Sequence, residues 1–230
     1  MNTEDEVKTF LASDFEELKR LFNDTVLDWW KHNKRDLPWR RTSDPYQVLI
    51  AEMLLRKTTA RQVATVYESF IFAYPSPKAL AEADEEEVEE KIRPLGISKV
   101  RAKLLVSLGK VLVEKFEGKI PCVVEDLLSL PGVGMYSANA VRCFAFYVDV
   151  PLIDTNFVRV ISRFFGLVSS KSRAHTDPKL WSFAERLIPE GKSREFNFAV
   201  LDFASLICKV PKPECIKCPV SGFCRYNNKP

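Results

Sequence analysis

Four cysteines packed into the last 23 residues constrain this 230-residue chain more than any other feature of its sequence. Cys208, Cys215, Cys218 and Cys224 follow the spacing C-x6-C-x2-C-x5-C. A loop this short cannot hold itself together by apolar burial, so something else must close it. Four thiolates suit a tetrahedral zinc ion or a cubane iron–sulfur cluster, because both take soft anionic ligands. Spacing alone leaves the two metals open. Lys209, Lys212, Lys217 and Arg225 interleave the cysteines, and Pro211, Pro213 and Pro219 stiffen the loop. A basic loop wrapped around a metal would present fixed positive charge to a phosphate backbone. The opening residues, Met1-Asn2-Thr3-Glu4-Asp5-Glu6, are acidic and lack the apolar stretch of an export signal, so a cytoplasmic location is expected. A disulfide framework is then not expected, and Cys122 and Cys143 read as small buried residues.

The rest of the chain reads as helix. Phe15 to His32 carries Phe15, Leu18, Leu21, Phe22, Val26, Trp29 and Trp30 near helical spacing. Asp44-Pro45 opens a second helix expected to run to Lys57, and Asp177-Pro178 repeats that opening; aspartate supplies the cap and proline the first turn. Asp84 can cap a short acidic helix ending near Gly96, and Ser98 a long one ending near Gly118. Arg194 to Cys208 makes a last apolar helix. No segment of useful length alternates with period two, so the expected class is all-α. No apolar run approaches the roughly 18 residues of a membrane span. The net charge of +3 says little, but Arg35, Arg40, Arg41, Arg56, Lys57 and Arg61 gather away from the acidic block Asp84–Glu87. That asymmetry fits a phosphate-facing surface, and equally a solvated helical face. No dimer motif is present, so a monomer is expected.

Two further patterns carry chemistry. Leu127 to Val141 reads as helix, tight turn and helix, with Leu130-Pro131-Gly132-Val133-Gly134 at the turn. Gly132 and Gly134 allow positive φ and close backbone approach. The second helix then offers its positive dipole end to an anion such as a DNA phosphate, which holds the duplex without reading its sequence. An ordinary helical hairpin would look the same. Eighteen residues after Tyr136 stands Asp154, between the apolar pair Leu152-Ile153 and a new helix beginning at Thr155. Aspartate at such a junction caps a helix, and it can also face whatever the hairpin holds.

Together these residues resemble the endonuclease III and adenine-glycosylase superfamily of helix-hairpin-helix DNA glycosylases. The hairpin motif, the downstream Asp154 and the four-cysteine tail recur there in this order, and the resemblance runs from about Leu37 to Cys224. It implies a [4Fe–4S] cluster on Cys208, Cys215, Cys218 and Cys224. It also implies two helical lobes: residues 42–150 as a bundle containing the hairpin at about 127–141, and residues 1–41 with 151–207 as a second lobe, followed by the cluster loop at 208–230. Leu37-Pro38-Trp39-Arg40 and Ala51-Glu52-Met53-Leu54-Leu55 are similar to the adenine-glycosylase branch. Two departures narrow the reading. Endonuclease III-type members carry a Schiff-base lysine where this chain has Tyr136, and a phenol cannot form a Schiff base, so lyase activity should be weak or absent. Adenine glycosylases usually have serine there and a further C-terminal recognition domain, whereas this sequence stops six residues after Cys224. Tyr136, Glu52 and the string Leu54-Leu55-Arg56-Lys57-Thr58-Thr59-Ala60 resemble the thymine-DNA glycosylases that act on T:G and U:G mismatches.

The resemblance assigns roles. Asp154 would stabilise an oxocarbenium-like state and activate water, and Glu52 would assist departure of the pyrimidine. Glu52 could equally be a helical partner of Arg56. Tyr136 would stack on the flipped nucleotide or hydrogen-bond near it. Gly132, Val133 and Gly134 would grip the backbone. Ile97 would wedge into the duplex while Arg56 or Lys57 fills the gap, although Ile97 could simply pack beside Ser98. The expected partner is double-stranded DNA carrying a T:G or U:G mismatch. The rivals are an adenine glycosylase without its recognition domain, an endonuclease III-like glycosylase/lyase, and a non-catalytic DNA-binding iron–sulfur protein.

Overall fold

A computed structural model describes residues 3–228 of the chain, so Met1, Asn2, Lys229 and Pro230, which the expected lobe boundaries and acidic opening include, lie outside the described residues. Among the described residues every regular element is helical. In chain order the α-helices are α1 (Thr3–Asn33), α2 (Pro45–Leu55), α3 (Ala60–Ala64), α4 (Tyr67–Ala73), α5 (Pro77–Ala81), α6 (Glu85–Ile92), α7 (Ser98–Phe116), α8 (Val124–Ser129), α9 (Met135–Phe146), α10 (Thr155–Phe165), α11 (Pro178–Leu187) and α12 (Ser193–Leu206). None of those described is long and apolar enough to cross a membrane.

The helices start where capping chemistry starts them. Asp44 accepts from the Gln47 amide, Asp84 from those of Glu86 and Glu87, and Asp177 from that of Lys179, with proline in the first turn behind Asp44 and Asp177. Three expectations need correction. The helix from Pro45 stops at Leu55, because Arg56 is extended and Lys57 adopts φ 55°. Ser98 does not cap α7: the cap position is Ile97, in the left-handed region, and the Ser98 hydroxyl donates to the Glu89 carboxylate at 3.0 Å. Cys122 is exposed, whereas Cys143 is buried as expected.

Contacts along the chain form two compact units, Met1–Arg35 with Asp149–Pro230, and Asp36–Val148. Side-chain pairing explains the first boundary. Arg35 reaches back to the buried carboxylate of Asp202, while the next residue, Asp36, accepts both Nε and Nη2 of Arg41. The Arg41 guanidinium holds the Asp36 carboxyl below its usual range. Arg35 and Arg41 therefore serve ion pairs, and the basic gathering read from the sequence does not act as one free surface.

In the unit Asp36–Val148, α2 is buried on all sides: Val48, Leu49, Ile50, Ala51, Met53 and Leu54 are each at most 3 % exposed. A helix apolar all round belongs in a core, and α2 packs against α9. α5 and α6 pack against α7. At that contact a Cβ on Gly109 would meet the Ala81 amide nitrogen at 2.7 Å, so only glycine permits the approach.

The other unit is built around an aromatic core. The ring of Phe22 of α1 lies tilted 4.7 Å from Phe164 of α10 and edge-on 6.3 Å from Phe196 of α12. Asp202, fully buried on α12, accepts from the Trp30 indole at 2.9 Å and from the Arg35 amide at 3.0 Å, besides its ion pair with Arg35. One carboxylate thereby fastens the end of α1 to α12.

Candidate functional site

Within the unit Asp36–Val148, α8 and α9 form the hairpin expected from the sequence. Gly132 sits at φ 76°, and a Cβ there would come within 2.6 Å of the Leu104 side chain and 2.7 Å of Arg56 Nη1. An L side chain there would be strained by the positive φ and would have to displace the tips of Leu104, Arg56 and Met53. Val133 is buried beneath the turn, while Gly134 caps α9 with no side-chain bond and with open space where a Cβ would stand. The turn thus presents bare backbone and the positive end of a helix dipole. Tyr136 is the second residue of α9 and is half-buried.

Two loops flank this hairpin. Arg56 donates from Nη1 to the Gly132 carbonyl at 3.0 Å, joining the loop after α2 to the turn. Met53, Arg56, Lys57, Ile97, Val100, Arg101 and Leu104 line one cavity. Lys57 and Ile97, at φ 55° and 53°, are non-glycine residues in the left-handed region. For a β-branched residue this conformation is strained, and Ile97 is nonetheless 59 % exposed. Glu52 lies on the same α2, 7 % exposed, one residue before Met53.

Arg101, near the start of α7, was not singled out by the sequence, where it looks no different from Lys99 or Lys103. It is 7 % exposed. Nη1 donates to the carbonyls of Leu54 and Met53, and Nη2 to the Arg56 carbonyl and the Thr58 hydroxyl, both at 2.9 Å. Burial, and then the neighbouring Arg56 cation, lower its pKa. The guanidinium closes the C-terminal end of α2, whose last carbonyls have no helical partner.

Asp154 belongs to the other unit and caps α10, accepting from the Phe157 amide on Oδ1 at 2.7 Å. Oδ2 accepts from Asn156 Nδ2 at 2.6 Å. Asn156 Oδ1 in turn accepts from Arg159 Nη2 at 3.0 Å, and Arg159 Nε donates to the Cys208 carbonyl at 2.8 Å. Arg163, one turn further along α10, donates from Nη1 to the Lys209 carbonyl at 2.9 Å and reaches the Cys208 sulfur at 3.4 Å. A continuous polar path therefore runs from Asp154 to the first cysteine of the terminal loop. Nothing in the sequence marks Asn156 and Arg159 beyond their helical spacing of three.

All four loop cysteines are free thiols, and all four line a single cavity with Val160, Phe164, Phe203 and Ile207. Burial pushes the Cys218 thiol up to about 11, opposed by the Val220 backbone; its neighbours Cys224, Cys208 and Cys215 raise it further. Among the described residues no three His, Cys, Asp or Glu side chains converge tightly enough to hold one metal ion. The donor set is soft, shared and largely dry, which fits a thiolate-bound inorganic group.

Comparison with known proteins supplies the family. Residues 50–186 match the family described as HhH-GPD superfamily base excision DNA repair protein. A thymine-DNA glycosylase of Aeropyrum pernix is 48 % identical over 206 residues, covering 88 % of this chain and 92 % of the relative. A thymine/uracil-DNA glycosylase of Pyrobaculum aerophilum is 47 % identical over 204 residues, covering 87 % and 89 %. The solved structure of a thermostable thymine-DNA glycosylase superposes with a TM-score of 0.88 at 39 % identity, covering 93 % of this chain and 98 % of that one. With a helical hairpin turning at Gly132, a carboxylate at the head of the following helix and a matched span of more than half its length, this chain belongs to the HhH-GPD superfamily of base excision DNA repair proteins.

Proposed function

We propose that this chain is a monofunctional DNA glycosylase that removes thymine or uracil opposite guanine. The observation that carries the reading is its near full-length likeness to proteins named thymine-DNA and thymine/uracil-DNA glycosylases. Tyr136 supports it, since a phenol at the head of α9 offers no amine for a Schiff base.

The residues can run the reaction as follows. The hairpin turn at Gly132, Val133 and Gly134 binds a backbone phosphate. Ile97 wedges into the base stack, and Arg56 or Lys57 occupies the space left by the extruded nucleotide. Unstacking costs a few kcal/mol and costs less at a mismatch, which contributes selectivity. The bond from C1′ to the pyrimidine nitrogen then breaks with its electron pair going to the base, while water adds to C1′ and gives its proton to Asp154. Positive charge on the sugar is stabilised by the Asp154 carboxylate, and Glu52, as the carboxylic acid, donates a hydrogen bond or its proton to the departing base as negative charge develops on it. Tyr136 packs against the extruded nucleotide.

The four cysteines hold a [4Fe–4S] cluster in this reading. All four line a common cavity, a soft donor set that would suit such a cluster, and the family resemblance favours it over a single zinc ion. The cluster supplies structural closure of the loop. Iron and acid-labile sulfide in equal amounts, without stoichiometric zinc, are the expected analysis.

A panel of T:G, U:G and A:8-oxoguanine duplexes tests the function. We expect base release from the first two, strand cleavage only after alkali, and no borohydride-trapped adduct. Adenine release would assign the chain to the adenine branch, and a trapped adduct to the lyases. Binding without release from any duplex would leave a DNA-binding protein.

A further inference from the structure

We propose that Arg101 is the positioning residue for base extrusion, cross-bracing the two loops that enter the duplex. The inference rests on the reading above that Ile97 and the Arg56–Lys57 loop are the intruding elements. Both loops hold a non-glycine residue in the left-handed region, Lys57 and Ile97, and neither conformation persists without external support. Arg101 touches both. Its side chain binds the carbonyls of Met53, Leu54 and Arg56 and the Thr58 hydroxyl. Its amide donates to the Ile97 carbonyl at 3.1 Å, the first hydrogen bond of α7. Thr58 adds a second strut, with its hydroxyl within 3.4 Å of the Leu95 carbonyl.

The chemistry of the brace is unusual for a purely structural arginine. Arg101 is buried, yet among the described residues its acceptors are neutral oxygens and no carboxylate pairs with it. A buried cation is costly unless its hydrogen bonds are well satisfied, and here the planar fork meets acceptors on both terminal nitrogens. What the guanidinium adds is a fixed relation between the carbonyl of Arg56 and the turn carrying Ile97. Arg56 passes the constraint on to the hairpin through the Gly132 carbonyl. Wedge, gap-filling loop and phosphate grip thus share one rigid reference.

If that is its task, Arg101 matters for pulling a base out of the stack and not for breaking the bond afterwards. Single-turnover rates with saturating enzyme, on uracil in a U:G pair and on uracil in an unpaired bulge, separate the two. Arg101→Lys keeps the charge but cannot reach the same oxygens from one plane. We expect it to slow U:G excision by about tenfold or more while changing the bulge rate by less than about threefold. Thr58→Val removes one acceptor and the strut to Leu95, and should show the same bias at smaller size. It decides the question if Arg101→Lys fails to fold. Equal slowing on both substrates, or none on either, overturns the inference. Failure of the parent protein to release uracil from either substrate would instead overturn the glycosylase reading.

Discussion

Asp154 does two things with two oxygens, and the pair can be separated by substitution. Oδ1 caps α10 through the Phe157 amide, while Oδ2 is oriented by Asn156. Asparagine caps a helix about as well as aspartate but carries no charge. Asp154→Asn should therefore fold with a stability close to the parent's and bind a T:G duplex, yet lose at least about a hundredfold in single-turnover excision. Asp154→Ala loses the cap as well, and should cost about 1 kcal/mol in denaturant unfolding. An Asn variant that excises at the parent rate would remove Asp154 from the chemistry. At this scale the sequence was only partly legible. Asp154, Gly132 and the four cysteines stand out because their residue types are demanding. Arg101, Asn156 and Arg159 do not, because an arginine or asparagine on a helix reveals nothing until its acceptors, which lie on other elements, are known.

Elements were easiest to read where local chemistry alone decides them. Acidic caps followed by proline or by glutamates set the starts of α2, α6 and α11, and each formed. Helices α3, α4 and α5, of five to seven residues, were missed, since two turns or fewer cannot show a 3.6-residue period. The start of α7 was misread for a related reason: Ser98 is a good cap by type, but its hydroxyl is taken by Glu89 and the chain enters through Ile97 instead. The junction of α1 with α12 depends on a contact no local pattern announces, the buried carboxylate of Asp202 serving Trp30 and Arg35. Asp202→Ala would remove the acceptor of the Trp30 indole and the carboxylate of the Arg35 guanidinium, which is 28 % exposed and keeps the Ser205 hydroxyl at 3.3 Å. Breaking a buried pair from one side costs about 3–5 kcal/mol, so a large fall in thermal midpoint is expected. A change below about 1 kcal/mol would mean that water replaces the carboxylate at Arg35.

For the molecule as a whole, the class and the helical hairpin were legible from periodicity and glycine placement and a two-lobe partition from the family resemblance, whereas pairings such as Arg35 with Asp202, which close a unit, appear only on folding. The cysteine loop is not an appendage to its unit. Cys208, Cys218 and Cys224 pack against the same core as Phe22, Phe157 and Phe203, and Arg163 binds the loop backbone. Replacing Cys218 by serine should lower the thermal midpoint of the protein and make residues 208–228 the first site of limited proteolysis. A variant that melts and digests like the parent would show that the loop is held by packing alone. The core is also assembled from distant stretches of sequence: Trp30 and Asp202 are 172 residues apart. At ribosomal rates of about 5–20 residues per second, α1 waits on the order of 10–30 s for its partner helix to be made. The middle unit, Asp36–Val148, has no such delay. Nascent chains should therefore display a folded hairpin and an unpaired α1 together, and until α12 emerges that first helix is the segment most in need of a chaperone.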